Sequence, residues 1–332
     1  MKMRSHRGRV ETRIIVLLLV TVLSMATDCP SFELAKGING LDKIVLRECR
    51  SRSAEVYLYG GHVTSWKNEN GEELLYLSSK AIFKPPKPIR GGIPLCFPQF
   101  SNYGPVKSHG FARNRIWELD ANPPPLPSNS SSIAFVDLIL RPTEDDLKMW
   151  PNNFEFRMRV ALGSEGELTL TSRVRNTNSD GKRFSFTFAY HTYFSVSDIS
   201  EVRVEGLETL DYLDKLRNRE RFTEQGDAIT FESEASIRFL RYLYLIYLST
   251  PTKIDIVDHE KKRTFVVRKE GLADAVVWNP WDKKSKKKIS DMGDEDYKHM
   301  LCVEAAAIER PITLKPGEEW KGRLELSAVP SC

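Results

Sequence analysis

The stretch FSFTFAYHTYF, residues 184–194, alternates with a period of two. Phe184, Phe186, Phe188, Tyr190 and, past Thr192, Phe194 share one face; Ser185, Thr187, Ala189, His191 and Tyr193 share the other. Successive side chains of a strand point to opposite sides of its sheet, so this pattern predicts a strand with one aromatic, core-facing side. The other side is small, partly polar and carries one histidine. Small side chains leave room above a sheet for a ligand, and a histidine held there gives or takes a proton near neutral pH. A buried histidine satisfied by a backbone carbonyl fits the same residues, and the strand alone leaves both readings open.

The same period recurs along the chain. IVLRECR, AEVYLYG, HVTSW, SIAFVDLILR, FEFRMRVALG, ELTLTSRVRNT, KIDIVDH, RTFVVRK and KGRLELSAVP read as strands, with turn clusters such as NENGEE, NTNSDGK and KPGEEW between them. Amphipathic helices are few and no βαβ rhythm is present. The expected fold class is therefore all-β, a large antiparallel β-sandwich with few short helices, spanning residues 31–329. NPPPLPSNSSS (122–132) is read as a surface loop, because proline removes ladder donors. The apolar run SIRFLRYLYLIYLSTP (236–251) reads either as a long strand or as an insertion.

The chain has 332 residues and a formal net charge of +4. Residues 1–26 hold five basic groups and one acidic one, which leaves a neutral body and argues against a broad nucleic-acid surface. Those residues, a basic stretch to Arg13 followed by an apolar run from Ile14 to Met25, have the layout of a secretory leader. Uncleaved, the leader would tie the chain to a membrane. The five cysteines form no CxxC, so neither a zinc site nor a disulfide framework is indicated. There is no GxxxxGK[ST], GxGxxG after a strand, HExxH or GxSxG, so the usual markers of nucleotide cofactors, zinc proteolysis and the serine-hydrolase elbow are missing.

Four further stretches carry candidate chemistry. In HMLCVEAAAIERPI (299–312), Glu304 interrupts an apolar strand, sharing a face with Cys302 and Ala306. A buried carboxylate needs a partner or shifts towards its neutral form; it is either a base or an ion-pair partner of an arginine such as Arg310. KPIRGGIPLCFPQF (87–100) sets Arg90 before a glycine pair that permits close backbone approach. SHGFARNRIWEL (108–119) crowds His109, Arg113 and Arg115, whose guanidinium forks suit carboxylate or phosphate oxygens. VVWNPW (276–281) brackets a turn with Trp278 and Trp281, rings suited to sugar CH faces or to a core. The lysines of 283–288 read as an exposed loop.

Taken together, RGGIPLCFPQF, HGFARNR, FAYHTYF, VVWNPW and LCVEAAAI resemble the aldose 1-epimerase (galactose mutarotase-like) superfamily, and within it the plant-type hexose-6-phosphate mutarotase branch. The resemblance runs from about residue 31 to 329. It implies a cofactor-free, metal-free β-sandwich that interconverts the anomers of a small sugar phosphate. It assigns His191 and Glu304 as catalytic, and Arg90, Arg113 and Asp214 as substrate-binding, with His109 and Trp278 lining the pocket. In the implied reaction, Glu304 takes the anomeric hydroxyl proton, His191 protonates the ring oxygen, and the open aldehyde recloses on either face. A non-catalytic carbohydrate-binding module would keep Trp278 and the arginines without needing the acid–base pair. A glycoside hydrolase would need two carboxylates about 5–9.5 Å apart, for which Glu304 and Asp214 are the candidates. Three features depart from the family pattern. Ser108 stands where a substrate-binding glutamine is common, ASIRFLRYLYLI adds roughly ten residues, and a secretory leader sits oddly with intracellular hexose phosphates.

Overall fold

A computed structural model of the chain describes residues 31–48, 50–125, 132–231, 243–280 and 289–331. The leader at 1–26, the core of the Pro/Ser-rich loop, most of the extra apolar segment, Trp281 and the lysine cluster lie outside the described residues. No helix among the described residues is long and apolar enough to cross a membrane.

The described strands form three antiparallel sheets. The first orders β1 (Ser31–Lys36), β2 (Asp42–Arg47), β3 (Ser53–Tyr57) and β4 (His62–Lys67). The second, of eight strands, runs β14 (Glu220–Thr223), β13 (Asp211–Asp214), β16 (Leu243–Tyr247), β19 (Asp274–Asn279), β20 (Met300–Leu314), β10 (Phe184–Tyr190), β5 (Leu95–Cys96), with β11 (Tyr193–Ser195) also on β20. The third has nine: β15 (Ile229–Thr230), β12 (Val202–Glu205), β17 (Lys253–Asp258), β18 (Arg263–Glu270), β21 (Glu319–Pro330), β9 (Leu168–Asn176), β8 (Phe154–Gly163), β7 (Ser132–Leu140), β6 (Glu118–Leu119). Its only α-helix among the described residues is Glu144–Met149, opened by a capping box at Thr143 and Asp146.

The aromatic side of 184–194 faces the main core. Phe184, Phe186, Phe188, Tyr190 and Phe194 are buried there against the inward residues of the nine-stranded sheet. Each such ring contributes about 1.5–3 kcal/mol by leaving water. Tyr190 also gives its hydroxyl proton to Ser172 Oγ at 2.7 Å, which satisfies the one polar atom it buries. The opposite side of the eight-stranded sheet carries a second cluster, with Cys96, Ala189, Tyr193, Val276, Trp278, Cys302 and Ala306, capped by Phe100, Tyr103, Ile289 and Met292 from loops.

The structure differs from the sequence reading in two local features. The strand expected over 184–194 is broken: hydrogen bonding to β20 lapses at His191 and Thr192 and resumes in β11. His191 N–H donates instead to Pro94 O on the other side. Second, β20 carries an irregularity. Phe186 pairs with Ile312 but Phe188 with Ala307, so extra β20 residues bulge out at the exposed stretch containing Pro311. Asp274 on β19 accepts from Ile308 N (2.8 Å) and Glu309 N (2.9 Å), two donors at this bulge. Packing also requires a glycine here: a Cβ on Gly92 (φ +62°) would lie 2.2 Å from Val63 O.

Replacing Asp274 with Ala leaves the buried Ile308 donor and its neighbour at Glu309 unmatched. Asp274→Ala is expected to lower unfolding free energy by about 2–4 kcal/mol, read from the urea midpoint; an unchanged midpoint would mean the bulge needs no such anchor.

Candidate active site

The register of the eight-stranded sheet brings the two central residues together. Tyr190 is opposite Ala305 and Tyr193 opposite Cys302, so His191 lies across from Glu304 on the same face. Directly opposed residues of an antiparallel pair have neighbouring side chains. Here His191 Nδ1 lies 3.1 Å from Glu304 Oε1, with both residues buried. Neither atom meets hydrogen-bond geometry, and both Glu304 oxygens lack a hydrogen-bond partner among the described residues. Arg310, the alternative ion-pair partner considered for Glu304, is exposed. No arginine lies within ion-pair distance of Glu304 among the described residues.

Burial acts on the two groups in opposite senses. It holds the Glu304 carboxyl well above the usual carboxylate range, against the opposing pull of Lys215 and Arg113. It holds the His191 imidazole well below its ordinary value, and Arg90, Arg113 and Lys215 push the same way. Both shifts favour the uncharged forms.

The remaining side chains form a ring about this pair. Tyr193 stacks on His191 (ring centroids 4.6 Å, planes 15° apart), and Trp278 meets it edge-on at 5.6 Å. Trp278 is 4% exposed, so it is wall and floor rather than an open platform. His109 sits 5.6 Å from His191 and approaches Cys96 Sγ through Nδ1 at 2.9 Å. Arg90 donates to Tyr193 Oη at 3.0 Å and to Asp291 Oδ1 at 3.2 Å. Its loop is pinned from below by buried His62, whose Nε2 contacts Gly91 O at 2.7 Å. Arg113 donates to the carbonyl of Ser108 at 2.9 Å, while its Nε is buried without a hydrogen-bond partner among the described residues. Arg115, by contrast, pairs with buried Asp146 and serves the fold.

Asp214 is placed differently from the central pair. Its carboxylate accepts from Leu216 N and lies 3.6 Å from Arg217 Nε, capping the turn after β13. The next residue, Lys215, reaches inward: Nζ donates to Ser101 Oγ at 2.7 Å and stands 3.9 Å over the Tyr244 ring. Burial brings its pKa down to about 8. Sequence reasoning named Asp214 and passed over Lys215, Tyr193 and Asp291. A lysine in a turn carries no pattern of its own, and only its place beside the buried face gives it meaning.

The surroundings of the pair are thus cationic. Arg90 has one carboxylate neighbour; Arg113 and Lys215 have none within ion-pair distance among the described residues. An anionic ligand would complete the charge balance. No group of three or more His, Cys, Asp or Glu residues suited to a metal occurs among the described residues.

Comparisons with known proteins bear on the family and the fold. The family model described as aldose 1-epimerase matches residues 42–327. A Cenchrus ciliaris protein named "Putative glucose-6-phosphate 1-epimerase" is 69% identical over 302 residues, covering 91% of this chain and 89% of that protein. An Escherichia coli K12 protein of the same name is 31% identical over 274 residues, covering 81% and 84%. A crystal structure of a "putative mutarotase" from Salmonella typhimurium superposes with a TM-score of 0.73 at 26% identity, covering 90% of this chain and 97% of that one.

His62 gives this region a pH signature. Burial lowers its pKa from 6.5 to about 4, so below 6.5 the unfolded chain binds a proton that the folded protein refuses. Stability is therefore expected to fall as pH drops from 6.5 towards 4, by up to about 3 kcal/mol. Urea midpoints across that window should show the loss, and His62→Asn should reduce it by the His62 share, since His191 and His109, whose imidazoles are also held below the ordinary value, act with the same sign.

Proposed function

Since the chain belongs to the aldose 1-epimerase family, we propose that it interconverts the α and β anomers of a hexose 6-phosphate, glucose 6-phosphate foremost, with His191 and Glu304 as its acid and base. The observation that carries this reading is the register-fixed, buried His191–Glu304 pair with Arg90, Arg113 and Lys215 around it.

Ring opening moves one proton from the anomeric hydroxyl to Glu304 and another from His191 to the ring oxygen. The pair enters as carboxylate and imidazolium and leaves as carboxylic acid and imidazole. Burial already favours the uncharged pair, so the environment assists the step that discharges both groups. Reclosure on the other face returns each proton along the same path. Trp278 and Tyr193 hold the imidazole by its edge and face, so its orientation is set before substrate arrives.

The phosphate preference rests on Arg90, Arg113 and Lys215 around the pair, and the names of the plant and bacterial relatives support it. Asp214 and His109 take the role of sugar-hydroxyl partners at the rim in this reading. A hydrolase reading finds less support, because the group that Glu304 faces is an imidazole and not a second carboxylate.

Anomer exchange is followed directly by NMR from freshly dissolved α-glucose 6-phosphate. His191→Ala and Glu304→Gln should each slow the catalysed exchange by about 10²–10⁴-fold while the sugar phosphate still binds. Wild-type protein that binds the ligand without speeding exchange would leave a carbohydrate-binding module instead. Arg113→Ala should weaken turnover of glucose 6-phosphate more than that of glucose; equal losses on both sugars would remove the phosphate assignment.

A further inference from the structure

His109 is held in a way that decides which of its two ring nitrogens carries the proton. Its backbone sits at φ +64°, where a residue with a side chain is uncommon. Hydrogen bonds on both sides keep it there: its N–H donates to Ser101 O at 2.9 Å, and its carbonyl accepts from Phe97 N at 3.2 Å. Nδ1 of the ring then meets two groups, Cys96 Sγ at 2.9 Å and Ser101 N at 3.4 Å. Cys96 is fully buried on β5, opposite Ala189, in the cluster that also holds Tyr193, Trp278 and Cys302. No role assigned above uses its thiol.

We infer that Cys96 is a positioning residue: its thiol donates to Nδ1 and so keeps the His109 proton on Nε2, from which His109 gives a hydrogen bond to an oxygen of the bound sugar. This rests on the reading of the site as one for a hexose phosphate.

Counting hydrogens fixes the tautomer. Burial, with the Arg113 charge next, holds the His109 imidazole well below its ordinary value; burial and then Glu304 push the Cys96 thiol up. Both groups are therefore uncharged near neutral pH, with one hydrogen on the sulfur and one on the ring. A backbone amide only donates, so the Ser101 N–H aimed at Nδ1 requires a lone pair there. A hydrogen on Nδ1 would oppose that amide. It would also leave the thiol hydrogen without an acceptor, since Sγ has no other hydrogen-bond partner among the described residues. Nδ1 is therefore bare, the thiol donates to it, and the ring proton sits on Nε2.

Nε2 itself has no hydrogen-bond partner among the described residues. The ring stands 5.6 Å from that of His191 and meets Phe100 edge-on at 5.2 Å. A neutral imidazole whose only free nitrogen bears a hydrogen is a donor and not a base. The two histidines thus differ in kind: His191 passes a proton, and His109 lends a hydrogen bond without changing its own protonation.

Long-range ¹H–¹⁵N NMR reads the tautomer and, on wild-type protein, needs no variant. His109 should show a bare Nδ1 and a protonated Nε2; the reverse pattern would overturn the inference. Cys96→Ala removes the donor and should populate both tautomers, while Cys96→Ser keeps a hydrogen at that position and should restore the wild-type pattern. Kinetics gives a second readout. Cys96→Ala should lower kcat/KM for anomer exchange of glucose 6-phosphate by about tenfold, the worth of one neutral hydrogen bond, and Cys96→Ser should recover most of that loss. In a His109→Ala background the Cys96→Ala loss should vanish, because nothing is left to position. A loss that persists there would mean that Cys96 only fills space, and the inference would fall. Wild-type protein inert towards glucose 6-phosphate would instead sink the functional reading, with the NMR pattern still deciding the tautomer.

Discussion

Everything chemical in this molecule depends on strand register. His191 and Glu304 are more than a hundred residues apart in sequence, yet they face each other because Tyr190 pairs with Ala305 and Tyr193 with Cys302. Upstream of the bulge the offset between the two strands is three residues different, as the pairing of Phe186 with Ile312 shows. Carried forward unchanged, that offset would set Ala307 opposite the histidine. An odd slip also exchanges the two faces of a strand, and here one face is a dry aromatic core. The bulge, anchored by Asp274, is therefore what reconciles a well-packed interior with a carboxylate at the required position.

The second constraint is electrostatic. A carboxylate and an imidazole buried together prefer to be uncharged, whereas the guanidinium and ammonium groups around them prefer an anion. The buried pair and the cations around it thus make opposite demands on the charge of a ligand. Rigid supports hold these demands in place: His62 beneath the Arg90 loop, and Tyr193 and Trp278 against His191.

Much of this was legible in the residues. Period-two alternation in FSFTFAYHTYF separated the core rings from the histidine face, and the lone acid in LCVEAAAI marked the other half of the pair. What escaped has physical reasons. The gap in hydrogen bonding at 191–192 and the bulge before Pro311 depend on which strand lies alongside, and a single strand does not encode its neighbour. Gly91 and Gly92 looked like ligand contacts, but Gly92 is there because Val63 O leaves no space for a side chain. Arg115 looked equivalent to Arg113, and only the distant Asp146 separates their roles. Lys215 was hidden because its importance comes from Tyr244 and Ser101, which chain order keeps far away. The extra apolar segment is only partly described: Leu243–Tyr247 forms a buried strand, and the residues before it lie outside the described ones.

The contact between Arg113 and residue 108 runs through the main chain. A carbonyl oxygen is offered by every amino acid, so this anchor is indifferent to which side chain evolution places there. A change of side chain at that exposed site therefore leaves the guanidinium tethered. The locus is free to diversify ligand preference without loosening the scaffold that orients the cation.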